Sequence, residues 1–151
     1  MSSTEIPGAA GSYTALSLEH ARARDAMRHG VLTCPPETSL TNVARMMAHN
    51  HVHAVVVTQP HVESDEDEQT WGVVTDLDVL RARADTEAAS AGGSASRDVV
   101  MVAPDDPLEW VAERMVEHRT SHAVVVARES GHPVGMISTL DLAGVVGWGR
   151  G

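Results

Sequence analysis

Thr75 and Asp78 stand three residues apart, and Ser138 and Asp141 repeat that spacing. A hydroxyl followed at this distance by a carboxylate, where a strand meets a helix, can do binding chemistry. The orphan N–H groups and the dipole of a helix N-terminus favour phosphate, and the hydroxyl adds a donor. One turn on, the carboxylate returns to the same end, where it can accept both hydroxyls of a ribose, as an acidic residue does in dinucleotide folds. The same spacing is also a near relative of the capping box, which satisfies those N–H groups without any ligand. A single copy favours capping, and a duplicated copy favours a ligand at one site at least.

The duplication extends beyond these residues. Gly72-Val73-Val74-Thr75-Asp76-Leu77-Asp78-Val79-Leu80 recurs as Gly135-Met136-Ile137-Ser138-Thr139-Leu140-Asp141-Leu142-Ala143. Upstream of each copy lies a second shared signature, Leu40-x-x-Val43-Ala44-x-x-Met47 and Leu108-x-x-Val111-Ala112-x-x-Met115. Two landmarks duplicated in the same order indicate a tandem repeat. Like units packed together form matching clefts, and clefts bind ligands. Further along each copy, His53-Ala54-Val55 aligns with His122-Ala123-Val124, and the first copy lacks one residue at the preceding helix-to-strand junction.

The elements that must position these groups follow from local pattern. Residues 1–18, rich in Ser, Gly and Ala, read as a flexible lead-in. Repeat 1 spans 19–84, a linker with Ala91-Gly92-Gly93-Ser94 spans 85–96, and repeat 2 spans 97–148. In the first repeat, composition predicts a helix over 19–29 and a short strand over 31–34, closed by Pro35 and Pro36. Ser39 can cap a helix running to about residue 50, with Leu40, Val43, Ala44 and Met47 on one face. A β-branched strand at 54–57, an acidic hairpin tip at 63–68, a returning strand at 71–75 and a helix over 76–84 complete it. The second repeat gives strands at 99–102, 123–127 and 134–138 and helices at 107–119 and 139–146, with a turn at Gly131-His132-Pro133. Each unit is β-α-β-β-α, so the fold class is α/β, of the α+β type.

The 151 residues suit one domain or two small half-domains, and a 42% hydrophobic content allows a real core. Phe is absent, so that core must come mainly from Val, Ala, Leu and Met. The net charge is -10, and all 11 basic residues are Arg. Such a surface repels phosphate backbones and anionic membranes, which argues against a nucleic-acid or membrane binder. Residues 1–12 lack the pattern of a secretory signal, and no apolar run approaches membrane-spanning length. The expectation is a soluble cytoplasmic protein. Cys34 stands alone, so no internal disulfide can form.

With these elements the chain resembles a tandem pair of cystathionine-β-synthase (CBS) domains, a Bateman module. Arg24-Asp25-Ala26-Met27 is similar to that family's lead-in to the first strand. Ser96-Arg97-Asp98-Val99-Val100-Met101-Val102-Ala103-Pro104-Asp105-Asp106-Pro107-Leu108 resembles its strand-to-helix passage. The strand ending Gly-apolar-apolar-Ser/Thr, followed by x-x-Asp in both halves, carries the likeness furthest. The resemblance implies two repeats packed as a pseudo-two-fold pair that binds AMP, ADP, ATP or S-adenosylmethionine and regulates another activity rather than catalysing one. It implies that Thr75 and Asp78 face His122, Ala123 and Val124, and that Ser138 and Asp141 face His53, Ala54 and Val55. The base would lie against Val73 or Met136, its edge read by backbone amides near Thr33 or Met101. It further implies a homodimer formed through helices, for which Trp110 is the candidate contact, and an effector protein of unknown identity.

Departures from the family pattern bear on the ligand. Val55 and Val124 stand where Pro is common, and the cations available for phosphate reduce to His53, His122, Arg119 and Arg97. So little positive charge suits AMP or a cationic adenosyl compound better than a triphosphate. Two rival readings stay open. One is a ligand-free interaction module whose Asp residues only cap helices. The other is a metal-responsive protein using His49, His51 and His53, which alternate as strand ligands would. An activated nucleophile and a P-loop are absent from the sequence, so no enzyme is expected.

Overall fold

The computed structural model describes residues 16–61 and 64–149. In chain order these form α1 (Ala23–Ala26), β1 (Thr33–Cys34), α2 (Leu40–Asn50), β2 (Ala54–His61), β3 (Ser64–Thr75) and α3 (Asp76–Arg81). There follow α4 (Ala91–Ser94), β4 (Val100–Val102), α5 (Leu108–His118), β5 (His122–Val126), β6 (Pro133–Ser138) and α6 (Thr139–Trp148). The mixed α/β class expected from the sequence is what the chain adopts, with two three-stranded sheets ordered β1-β2-β3 and β4-β5-β6. In each sheet the first strand runs parallel to the middle one: Thr33 pairs with Val56, and Met101 with Val124. β2 and β3 are antiparallel, with Ala54 opposite Thr75 and Val57 opposite Gly72.

Helices α2 and α5 each bury the stripe their repeat predicts: Leu40, Val43 and Met47 in one, Leu108, Val111 and Met115 in the other. Ser39 caps α2 by accepting the N–H of Asn42, and both helices stop where a residue turns left-handed, His51 and Arg119. One core gathers Cys34, Leu40, Val43, Met47, Val55, Val57, Val74 and Ala91. Burial pushes the Cys34 thiol above its ordinary range, Glu37 adds to the rise, and a hydrogen bond with Thr38 opposes it. Cys34 is therefore a small apolar core residue rather than a reactive thiol.

Two compact units emerge, and neither is one half of the sequence. One joins the described residues before Gly30 to Val100–Val125 and to the chain from Gly135 onward; the other joins Gly30–Val99 to Val126–Val134. The reason is a pair of crossing segments. Residues 22–28 bridge to the second repeat through Arg22 with Pro107 and Arg28 with Met136, while residues 90–96 bridge to the first through Ser39 with Ser90 and Val73 with Ser96. Positions 22 and 28 precede 90 and 96 by the same offset that separates Leu40 from Leu108. The same device is therefore built twice. Each repeat receives as an added edge the segment that precedes the other.

This pairing explains two local differences from the sequence reading. Over residues 19–29 only Ala23–Ala26 is helical. The backbone on either side is engaged elsewhere: Ala21 accepts the N–H of Leu108, and Arg28 exchanges two hydrogen bonds with Met136. Likewise the stretch 85–96 is not bare linker, since Ser90 caps the short α4 by accepting the N–H of Gly93. The acidic hairpin also differs. β3 begins at Ser64 because β2 continues past a register shift after Val57 and pairs Pro60 with Glu68. The acidic run thus lies mostly in a strand, and residues 62–63 lie outside the described residues. No helix among the described residues is long and apolar enough to cross a membrane.

The crossing segments need glycine where they approach the strands. A Cβ on Gly72 would stand 2.7 Å from the carbonyl oxygen of Ser96, and one on Gly135 would stand 2.5 Å from Met27 Sδ and 3.0 Å from the Arg28 carbonyl oxygen. Backbone cannot retreat as a thioether can. Gly72→Ala should therefore cost about 1–3 kcal/mol and Gly135→Ala less, because the Met27 side chain can swing aside. Urea unfolding of the two variants checks the order; equal midpoints would contradict it.

Candidate functional site

The two Ser/Thr-x-x-Asp motifs fold alike. β3 delivers Thr75, and β6 delivers Ser138, to the N-cap of the following helix in extended conformation. Thr75 Oγ1 accepts the Asp78 N–H at 3.3 Å, and Asp78 Oδ2 accepts the Thr75 N–H at 2.9 Å and its hydroxyl at 3.1 Å. In the second copy Ser138 Oγ accepts the Asp141 N–H at 3.1 Å, and Asp141 Oδ2 accepts the Ser138 N–H and hydroxyl, both at 2.9 Å. Both are complete capping boxes.

In each box the cap uses Oδ2, while Oδ1 meets a guanidinium. Asp78 Oδ1 lies 3.6 Å from Arg81 Nη1, one turn along the same helix, and the Asp78 side chain is 18% exposed. Asp141 Oδ1 accepts from Arg28 Nε at 3.3 Å, and its side chain is only 4% exposed. Enclosing a carboxylate is costly unless donors surround it. Here those donors include the Ser138 amide and hydroxyl and the Arg28 guanidinium. Sequence reasoning missed Arg28, which comes from 113 residues away in the chain.

The helix N-termini offer less to a phosphate than the bare motif suggests. At α3 the N–H of Asp76 goes to the His53 carbonyl, that of Leu77 to Asp76 Oδ1, and that of Asp78 to Thr75. At α6 the N–H of Thr139 goes to the Ser121 carbonyl. At α3, where all three N–H groups are taken, charge for a phosphate must therefore come from side chains.

The remaining candidates divide by exposure. Val55 and Val124 are wholly enclosed, and Ala54, Ala123 and Val73 are buried. Thr33, Met136 and His122 are part-exposed, and Met101 is open to solvent. Among the expected cations, Arg97 lies over the Trp71 ring at 4.2 Å, His53 Nδ1 bonds Asp76 Oδ2 at 2.9 Å, and His122 Nδ1 bonds the Ser121 hydroxyl at 2.9 Å. Arg119 is the left-handed cap of α5. The histidine alternation does not form a strand face: His49 lies in the last turn of α2, His51 is its left-handed cap, and His53 precedes β2. Among the described residues no three His, Cys, Asp or Glu side chains are grouped to hold a metal.

The caps predict a stability difference that needs no ligand. Asp141→Ala removes a buried acceptor serving at least three donors and should cost about 2–3 kcal/mol, whereas Asp78→Ala, nearer the surface, should cost about 1 kcal/mol. Chemical denaturation of both variants measures this; Asp78→Ala proving the more damaging would contradict it.

A family model described as CBS domain matches residues 23–85 and 93–147. A homoserine O-acetyltransferase from Methanosphaerula palustris is 30% identical over 132 residues, 87% of this chain and 25% of that enzyme, so the chain spans about a quarter of that relative's length. Among solved structures, a CBS domain pair in complex with 5′-methylthioadenosine and S-adenosyl-L-methionine superposes with a TM-score of 0.72 at 18% identity, covering 84% of this chain and 96% of that one. Hypoxic Response Protein I with two coordinated zinc ions gives a TM-score of 0.65 at 25% identity, covering 82% and 97%. An uncharacterized conserved protein from Pyrococcus horikoshii gives 0.69 at 24%, covering 85% and 92%.

Proposed function

The chain belongs to the CBS domain family, and on that premise we propose that it is a regulatory module sensing an adenosine-type ligand, AMP, ADP, ATP or S-adenosylmethionine. The observation that carries this is the division of labour within each Asp. One oxygen secures the helix cap while the other, Oδ1, is turned to a guanidinium that a pair of ribose hydroxyls can replace. The carboxylates of Asp78 and Asp141 read the sugar, and Thr75 and Ser138 hold them in place. The 5′-methylthioadenosine and S-adenosyl-L-methionine bound by a neighbour of the same fold support an adenosyl ligand. His53, His122, Val73, Met136, Thr33 and Met101 remain candidate contacts, with the enclosed Ala54, Val55, Ala123 and Val124 shaping the sheets behind them.

In this reading the module is cytoplasmic, binds rather than transforms its ligand, and passes a change of conformation to an effector. A homodimer is part of the proposal. Trp110 is 41% exposed on α5 with the Arg114 guanidinium 5.7 Å above its ring, which leaves an amphipathic surface suited to a partner helix. The second reading, a ligand-free interaction module, draws on one observation: both capping boxes are already complete without a ligand.

Calorimetry separates the two. Metal-stripped protein titrated with AMP, ADP, ATP and S-adenosylmethionine should show saturable binding to at least one. Asp78→Ala or Asp141→Ala should weaken it about 10- to 100-fold by removing charged hydrogen bonds. No heat with any of them, from folded protein, would favour the interaction module.

A further inference from the structure

The two sensing motifs share a backbone design but differ in one side chain. Arg28 and Ser96 occupy the same place in the two crossing segments. Each exchanges a pair of backbone hydrogen bonds with the strand residue two before the motif hydroxyl: Arg28 with Met136 at 2.9 and 3.1 Å, Ser96 with Val73 at 3.0 Å each way. Beside Ser138 and Asp141 this position carries a guanidinium; beside Thr75 and Asp78 it carries a hydroxymethyl group. Backbone pairing fixes the Arg28 Cα, yet the side chain beyond it is 68% exposed, so the guanidinium can move while its anchor stays.

We propose that Arg28 is the specificity-determining residue of the Ser138/Asp141 site, selecting adenosine ligands that carry a 5′-phosphate. The inference rests on the adenosine reading above and deepens it. Without ligand, Arg28 lends its Nε–H to the enclosed Asp141 carboxylate. When ribose hydroxyls take over Asp141 Oδ1, the guanidinium loses that partner. A phosphate then supplies a new one by paired, charge-assisted hydrogen bonds. A ligand without an anionic group gives it none, so such a ligand must displace an ion pair with no compensation. The other site has no equivalent in its crossing segment: Ser96 supplies no charge there, and the guanidinium beside Asp78 comes instead from Arg81, one turn along α3. The two sites of one chain thus differ in the charge of the adenosine ligand they accept.

The test compares AMP with adenosine by calorimetry, in the full chain, with one site silenced at a time. In an Asp78→Ala background, AMP should bind more tightly than adenosine by roughly 10- to 100-fold, and Arg28→Ser should abolish most of that preference. Ser is the residue that the other repeat carries at this exposed position, and circular dichroism confirms that the variant folds. In the reciprocal Asp141→Ala background, Ser96→Arg should create a preference for AMP where none existed. Both ligands binding with an unchanged ratio after Arg28→Ser would overturn the assignment and leave the adenosine reading standing. Neither AMP nor adenosine binding the unmutated chain would overturn the assignment, and the same silence with ADP, ATP and S-adenosylmethionine would overturn both.

Discussion

A strand that lacks a side chain at one point allows another stretch of backbone to lie against it, and this protein uses that twice. Gly72 and Gly135 clear the space, and the segments ending at Ser96 and Arg28 fill it. The arrangement of the two repeats within each unit depends on these crossings. They withdraw residues 19–29 from a continuous helix, give each sheet its added edge, and divide the chain into units that mix the two repeats. They also set Arg28 beside Asp141, a meeting that no local preference would produce. The glycine that opens each duplicated motif is, in this fold, a place for backbone to pass.

The second constraint is the capping box, where structural and binding roles share one side chain. Satisfying a helix N-terminus takes one carboxylate oxygen and one hydroxyl, so the remaining oxygen can serve a ligand while the cap is kept. The capping and ligand readings therefore do not exclude each other. A preformed cap holds the carboxylate in one rotamer before the ligand arrives, which lowers the ordering cost of binding. The guanidinium on the second oxygen keeps a nearly buried charge compensated meanwhile.

Much of this was legible in the residues. The duplicated signatures locate α2, α5 and both capping boxes, because helix periodicity and a hydroxyl three residues before a carboxylate are local signals. What could not be read locally was the exchange of segments, since pairing between Val73 and Ser96, or Arg28 and Met136, depends on contacts far apart in sequence. The rival reading of the histidines meets a related obstacle. Their alternation presumed a strand, but a left-handed cap at His51 breaks the chain direction between His49 and His53. Arg28 was within reach, however. The offset relating Leu40 to Leu108 also relates position 28 to position 96, and an Arg opposite a Ser in matched repeats is a difference worth a question.

The central claim is that an adenosine ligand's ribose is read by the carboxylate of a helix cap. A crystal structure of the protein grown with AMP tests it most directly. The account predicts ribose hydroxyl oxygens about 2.5–3.0 Å from Oδ1 of Asp141 or Asp78, with the Oδ2 cap bonds intact. AMP seated away from both carboxylates, with their guanidinium partners undisturbed, would contradict it.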